Sequence, residues 1–373
     1  MVKTEKPWYK ILNEDEISSP GLLVSPLNIK SNIDEMINIS GDVNRLWPHI
    51  KTHKMSVIID LQKKSGISRF KCSTIGELEL LSRFNLSHVL LAIQPSTDKL
   101  KLFLEIQKNN PQTIFSTLVD NKYSLNIFSS LAEIHGLKLN LWVDINNGMN
   151  RTGILSGDKV FPLYKAIHEN THINPLGLHV YDGHIRNPSE QERKVISDAQ
   201  FKPILKLQKI IETQLGISVK IIAGGSPTFL AHSQRENVFL SPGTTLLWDA
   251  GYDSLWPESP FKIAAILATR VISKPNKNLL CLDLGHKSIA SEMPLPRAIV
   301  LGLEKSNHIG QSEEHLVIET KKANQYEIGD ILYAIPYHIC PTVIKHNKVQ
   351  VIEKNKIKEH WEVSARDYLI NAF

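Results

Sequence analysis

Arg45-Leu46-Trp47-Pro48-His49-Ile50-Lys51-Thr52-His53-Lys54 is the stretch on which the reading of this chain turns. It begins like a β-strand but carries a proline, which cannot donate to a ladder and is rare in central strands, so something besides stability has shaped it. At period two, Leu46, Pro48 and Ile50 point one way and Trp47, His49 and Lys51 the other. Working outward, short β-rich runs recur at 70–74, 88–93, 113–119, 139–145, 176–181, 219–223 and 238–241, and amphipathic helical patterns such as 75–84 and 199–215 lie between them. With 46–51 this makes about eight strands in a βα rhythm, the number a closed (β/α)8 barrel requires. An open doubly wound sheet is the alternative. In a barrel the apolar set would face the helices, placing Lys51 inward at the C-terminal mouth.

Past Trp256-Pro257 the texture changes to strand-like segments without long helices: 264–272, 279–284, 298–303, 315–320, 331–338 and 348–352. The expected organisation is therefore α/β, a (β/α)8 barrel over 25–255 followed by a mostly β domain over 256–373. Residues 1–24 should join the second domain through a short strand at 21–24, ahead of a first barrel helix at 26–39.

Bulk composition narrows the class. A chain of 373 residues with 42% hydrophobic and 22% charged residues is an ordinary folded globular protein, long enough for two domains. No apolar run approaches the roughly 18–20 residues of a membrane helix, and MVKTEKPWYKILNEDE is too polar for a signal-peptide core, so a cytoplasmic protein without membrane contact is expected. Three cysteines cannot build a disulfide framework. The net charge of +5 is scattered among acids, which argues against nucleic acid as a partner.

Chemistry gathers at strand ends. A lysine at a barrel mouth is partly desolvated, which favours the neutral nucleophilic amine, so Lys51 suits imine chemistry; the plain alternative is a solvated strand end. In Ala223-Gly224-Gly225-Ser226-Pro227-Thr228, the glycines allow close backbone approach, Ser226 can cap the next helix and Pro227 fits its first turn, so the run can receive phosphate. Ser241-Pro242-Gly243-Thr244-Thr245 adds Gly243 and Thr244 beside strands seven and eight, where barrels often hold phosphate. A glycine turn serving structure alone is the plain alternative. In Pro336-Tyr337-His338-Ile339-Cys340-Pro341-Thr342, His338 and Cys340 would share one face of an extended strand. Imidazole and thiolate are soft donors that favour zinc, and two protein ligands leave open positions for a metal that polarises a substrate hydroxyl. A buried thiol beside a packed histidine is the alternative. Arg151, in Met149-Asn150-Arg151-Thr152-Gly153, could hold a cofactor ring or a carboxylate, and Tyr181 and His184 would point into the mouth.

Taken in order, Pro48-His-Ile-Lys-Thr-His-Lys54, Met149-Asn-Arg-Thr-Gly153, Gly224-Gly-Ser-Pro-Thr228 and His338-Ile-Cys-Pro-Thr342 resemble the D-threonine aldolase and D-serine dehydratase family of pyridoxal-phosphate enzymes. The resemblance implies an alanine-racemase-like barrel and a β domain. It also implies pyridoxal 5′-phosphate held on Lys51 as an imine with His49 beside it, and Arg151 and Tyr181 around the cofactor. Gly224, Gly225 and Ser226 would hold its phosphate with Gly243 and Thr244 assisting, and a divalent metal, zinc first and manganese second, would sit on His338 and Cys340. His184 is the candidate barrel base. Members act on D-configured 3-hydroxy amino acids and are commonly homodimers. The expected activity is a metal-assisted lyase, aldolase in preference to dehydratase; an amino-acid racemase and a non-catalytic pyridoxal-phosphate carrier are the rivals.

Overall fold

The computed structural model describes residues 7–368. It divides into two compact units. One takes the described residues up to Glu35, Thr52–Leu61 and Thr244–Arg366; the other takes Met36–Lys51, Gln62–Gly243 and the described residues from Asp367.

The second of these is the barrel. Seven parallel strands, Arg69–Cys72, His88–Leu91, Ile114–Val119, Leu139–Asn146, Ile173–Tyr181, Lys220–Ala223 and Val238–Leu240, lie in sequence order. Residues 46–49 join the two edges: Leu46 bridges Leu240, and His49 bridges Lys71, both parallel. Trp47 N and His49 N donate to Leu240 O and Pro242 O at 2.7 and 2.8 Å, and Pro48 O accepts from Lys71 N at 3.0 Å. Pro48 has no N–H to give back, so this stave is a pair of bridges rather than a strand. Three of the helices between strands start on side-chain caps that the sequence supplies. Thr74 Oγ1 accepts from Glu77 N while the Glu77 carboxylate accepts from Ser73 N, and Asn121 and Ser189 cap Lys122–Ile134 and Glu190–Leu215.

Trp47, Leu90, Leu118, Trp142 and Ile222 form one buried cluster in the barrel's interior, the two indoles meeting edge to face at 5.9 Å. Register carries this face onto polar residues. Lys71 is the cross-strand partner of Leu90, His179 is the partner of both Ile222 and Asp144, and Asp144 lies two residues beyond Trp142. An apolar floor is thus topped by an inward-facing layer of Lys71, Asp144 and His179, each less than a tenth exposed.

One expectation fails here. Lys51 does not end a strand: Ile50–Thr52 is a 3₁₀ turn. His49 Nδ1 accepts from Lys51 N at 3.2 Å, which bends the backbone out of extension immediately after the bridge to Lys71.

The other unit is a mixed sheet. Gly21–Val24, fully buried, lies between Ala265–Ser273, antiparallel, and Lys348–Glu353, parallel. Leu279–Leu282, Ala298–Val300, Leu316–Glu319 and Ile331–Pro336 fall where strands are expected, and Asn307–Gln311 and Lys356–Glu362 are added. The expected strand over 331–338 stops at Pro336, and His338 instead stands at the residue before the helix Ile339–Val343, with Cys340 in its first turn. Pro341 is tolerated there because the first-turn N–H has no intrahelical partner. No helix among the described residues is long and apolar enough to cross a membrane.

Candidate functional site

At the barrel mouth the residues gather around Tyr181, the last residue of its strand. Lys51 Nζ stands 5.9 Å from the centre of the Tyr181 ring and Arg151 Cζ 4.8 Å from it. A Cβ on Gly225 would come within 3.0 Å of Tyr181 Cε2, and one on Gly183 would run into the phenol itself. The phenol is therefore seated between two glycines, of which Gly183 carries no motif of its own.

Gly224 adopts φ +75 with its N–H on Val180 O at 2.9 Å, and a Cβ there would meet His232 Cδ2 at 2.6 Å. Ser226 opens the turn Ser226–Thr228 and its Oγ accepts from Gly243 N at 3.3 Å, so the two glycine runs are tied together. Gly224→Ala should cost about 1–3 kcal/mol through the left-handed backbone and the clash with His232. The expected readout is a lower thermal midpoint together with faster loss of cofactor on gel filtration; unchanged values for both would show that this turn is indifferent to its shape.

Beneath the turn runs a buried polar chain. Asp182, fully buried, accepts from Thr228 Oγ1 at 2.6 Å and pairs with His232 Nε2 at 2.7 Å, while Arg235 meets His232 Nδ1 at 2.5 Å and Asp198 at 2.6 Å. A guanidinium has no acceptor, so His232 Nδ1 must accept and Nε2 must carry the proton given to Asp182. Burial pushes the Asp182 carboxyl up, but His232, Thr228 and Arg235 outweigh it and hold the carboxyl below its ordinary value.

In the inner layer, His179 Nδ1 and Asp144 Oδ1 are 2.7 Å apart. Burial and then the Lys71 charge lower the His179 imidazole, while the His179 contact overrides burial to keep Asp144 low. A neutral His179 giving Nδ1–H to an ionised Asp144 leaves Nε2 as a bare acceptor, and that atom is buried without a partner. Burial first, then repulsion from Lys51, brings the Lys71 ammonium down to about 7, with Asp144 opposing. Motif reading missed these residues; charged side chains at the inward positions of central strands were the available signal.

His184 stands apart from this group. Its Nε2 is 3.1 Å from Gln200 Oε1 and packs on Gly148, and no described hydrogen bond or ring contact joins it to Lys51, Arg151 or Tyr181.

In the other unit His338 and Cys340 do meet, but around a helix start. Burial disfavours the His338 cation, yet hydrogen bonds to Cys340 and Glu292 raise it to about 9; Glu292 Oε1 is 2.5 Å from His338 Nδ1. Thr52 Oγ1 lies 3.2 Å and Thr244 Oγ1 3.5 Å from Cys340 Sγ. Among the described residues no three His, Cys, Asp or Glu converge as a metal site, so the pair offers two donors and leaves the remaining positions open.

These residues fit the implied groups. Pyridoxal phosphate needs an amine, cations and phosphate donors, and the barrel unit supplies Lys51, Arg151 and the Ser226 hydroxyl. Asn147 Nδ2 and Ser241 Oγ are further buried groups without partners. Thiol and imidazole in contact suit a divalent metal of the zinc type.

Comparison with known proteins then places the chain. The sequence model of the alanine racemase N-terminal domain matches residues 24–249, more than half of the chain. The chain belongs to this family. A second model, described as a putative serine dehydratase domain, matches residues 264–352. The chain is similar to a 3-hydroxy-D-aspartate aldolase of Paracoccus denitrificans (strain Pd 1222), 24% identical over 95% of this chain and 94% of that protein. It is similar to a D-threonine aldolase of Arthrobacter sp., 23% identical over 87% of this chain and 86% of that one. The crystal structure of a D-threonine aldolase from Filomicrobium marinum shares the fold with a TM-score of 0.85, at 22% identity over 94% of this chain and 95% of that chain. The alanine-racemase-like barrel expected from the sequence is thereby established.

Proposed function

We propose that this member of the alanine racemase N-terminal domain family is a pyridoxal-phosphate- and metal-dependent lyase that cleaves D-3-hydroxy amino acids to glycine and an aldehyde. The observation that carries the reading is the contact between His338 and Cys340, because a racemase needs acids or bases on both faces of Cα and has no use for a metal pair. The names of the similar aldolases support it.

Bound pyridoxal phosphate supplies an electron sink, and the metal a Lewis acid for the substrate's 3-hydroxyl. The chain's own residues do the rest. Lys51 anchors the cofactor through its amine, and Tyr181 and Arg151 bound the ring position. Gly224, Gly225, Ser226, Gly243 and Thr244 receive phosphate, and His49 fixes the backbone turn on which Lys51 rides. Glu292 takes the Nδ1 proton of His338 and leaves its other nitrogen for the metal. His184 is the proposed base, acting with Gln200 as its partner. A homodimer in a reducing cytoplasm completes the reading, in keeping with three free cysteines.

Elimination to a keto acid and ammonia is the second reading. A thiolate metal ligand and the match to the serine dehydratase domain favour it. The deciding experiment is a product screen on the holoenzyme. Glycine plus aldehyde from D-threonine or 3-hydroxy-D-aspartate is expected, and ammonia plus keto acid would select elimination. Interconversion of enantiomers alone would leave the racemase, and no turnover with cofactor bound would leave the carrier.

A further inference from the structure

Lys71 is a lysine in the barrel interior that no motif explains. It is 3% exposed, its register partner is Leu90 of the interior cluster, and its backbone is bridged to His49, two residues before Lys51. The groups whose charges reach it are Lys51 from the 3₁₀ turn, Asp144 from its strand, Arg151 from the loop beyond that strand, and Asp182, with His179 sensing Lys71 in turn. Three cations against two carboxylates leave an excess of positive charge. Lys71 is the buried member of these cations, Lys51 being half-buried and Arg151 exposed, and the two carboxylates are held by His179 and His232, so a buried lysine charge is left without a carboxylate of its own.

The order of strands around the barrel says what would relieve it. Around the pyridoxal ring the phosphate arm, the carbon that joins a lysine and the phenolic oxygen occupy three consecutive positions. Around the barrel the glycine turns after the seventh and eighth staves, the stave leading to Lys51 and the strand bearing Lys71 also follow consecutively. A ring whose phosphate lies at Gly224–Ser226 and whose linking carbon lies at Lys51 therefore turns its phenolic oxygen toward Lys71. We propose that Lys71 is a cofactor-contacting residue whose amine meets that phenolic oxygen. The inference rests on the proposed attachment at Lys51. Attachment sets a phenolate in the neighbourhood of Lys71, which supplies the anion that a buried ammonium needs. A cation there opposes protonation of the linkage and pins the ring in one orientation.

The test is spectroscopic. The full-length holoenzyme and its Lys71→Met, Lys71→Gln and Lys71→Arg variants are titrated by the absorbance of the lysine-linked cofactor across the neutral and alkaline range, and each is trapped with borohydride to locate the linkage. Both neutral variants should hold the proton on the linkage to a pH higher by about one unit or more, with arginine returning it toward the parent. Trapping on Lys51 with unshifted titrations overturns the contact and leaves the attachment standing; trapping of the parent on another lysine overturns both. If both neutral variants fail to fold, the parent loaded with 3-O-methyl pyridoxal phosphate decides. With no phenolate to offer, the analogue should be retained at least about tenfold less tightly, and equal retention overturns the contact.

Discussion

Replacing Lys51 by alanine should abolish lyase activity and the yellow colour of the purified protein together. The amine is the only group proposed to attach the cofactor covalently, and an attached cofactor is both the chromophore and the electron sink. The geometry gives the expectation its sharpness. Lys51 Nζ stands over the same phenol as Arg151, so a ring held there would be bounded by both. The turn that carries it is fixed by His49 Nδ1 rather than by a strand ladder. Borohydride reduction of the parent should add the cofactor's mass to a peptide containing Lys51. Mass on Lys54 or Lys287 would remove Lys51 from the centre of the chemistry, and a yellow, active Lys51→Ala protein would do so more directly. Free alkylamine with added cofactor should restore part of the activity but not the retention, because it stands in for the amine without tethering the cofactor to the chain.

Stripping metal should silence the enzyme while leaving the cofactor in place. A metal on the 3-hydroxyl would supply several kcal/mol of charge stabilisation, which at about 1.4 kcal/mol per tenfold is a loss on the order of 10²-fold or more. The cofactor's attachment depends on barrel residues and should survive chelation with its absorbance intact. Zinc added back should release protons as it restores activity, because His338 is held protonated to about 9 by Cys340 and Glu292 in the free protein and must lose that proton to ligate. A His338→Ala, Cys340→Ala double variant should bind no stoichiometric metal. Full activity in metal-free protein, or unchanged metal content in the double variant, would take the metal out of the mechanism and return the racemase to contention. Glu292→Gln makes a graded companion, expected to weaken metal retention about 10–100-fold.

The barrel strands were legible because each is a short β-branched or aromatic run bounded by turn residues, and that pattern survives whatever packs around it. What failed was local and set by side chains. The turn at Ile50–Thr52 depends on an imidazole accepting a backbone N–H, which no periodicity announces. The strand through His338 ends early because Pro341 favours a helical first turn over further pairing. Lys356–Glu362 was missed since most of its side chains are exposed and charged, the habit of a protected edge. Asn307–Gln311 was missed because it buries no apolar face. Lys71, Asp144 and His179 lie in no motif; the signal they left was a polar side chain at the inward position of a central strand, and register shows that all three turn into the barrel.

The strand Gly21–Val24 has a consequence for how the chain is made. Its two neighbours are Ala265–Ser273 and Lys348–Glu353, and Ser18 N reaches Gln350 Oε1 across 332 residues of sequence. During synthesis this apolar strand has no edge to pair with until Ala265–Ser273 has followed, after the whole run of barrel strands. The barrel strands, which pair with their immediate successors, can assemble in the interval. An apolar strand waiting this long is a natural client for a chaperone, and truncation before Lys348 should leave it paired with Ala265–Ser273 on one side and open on the other.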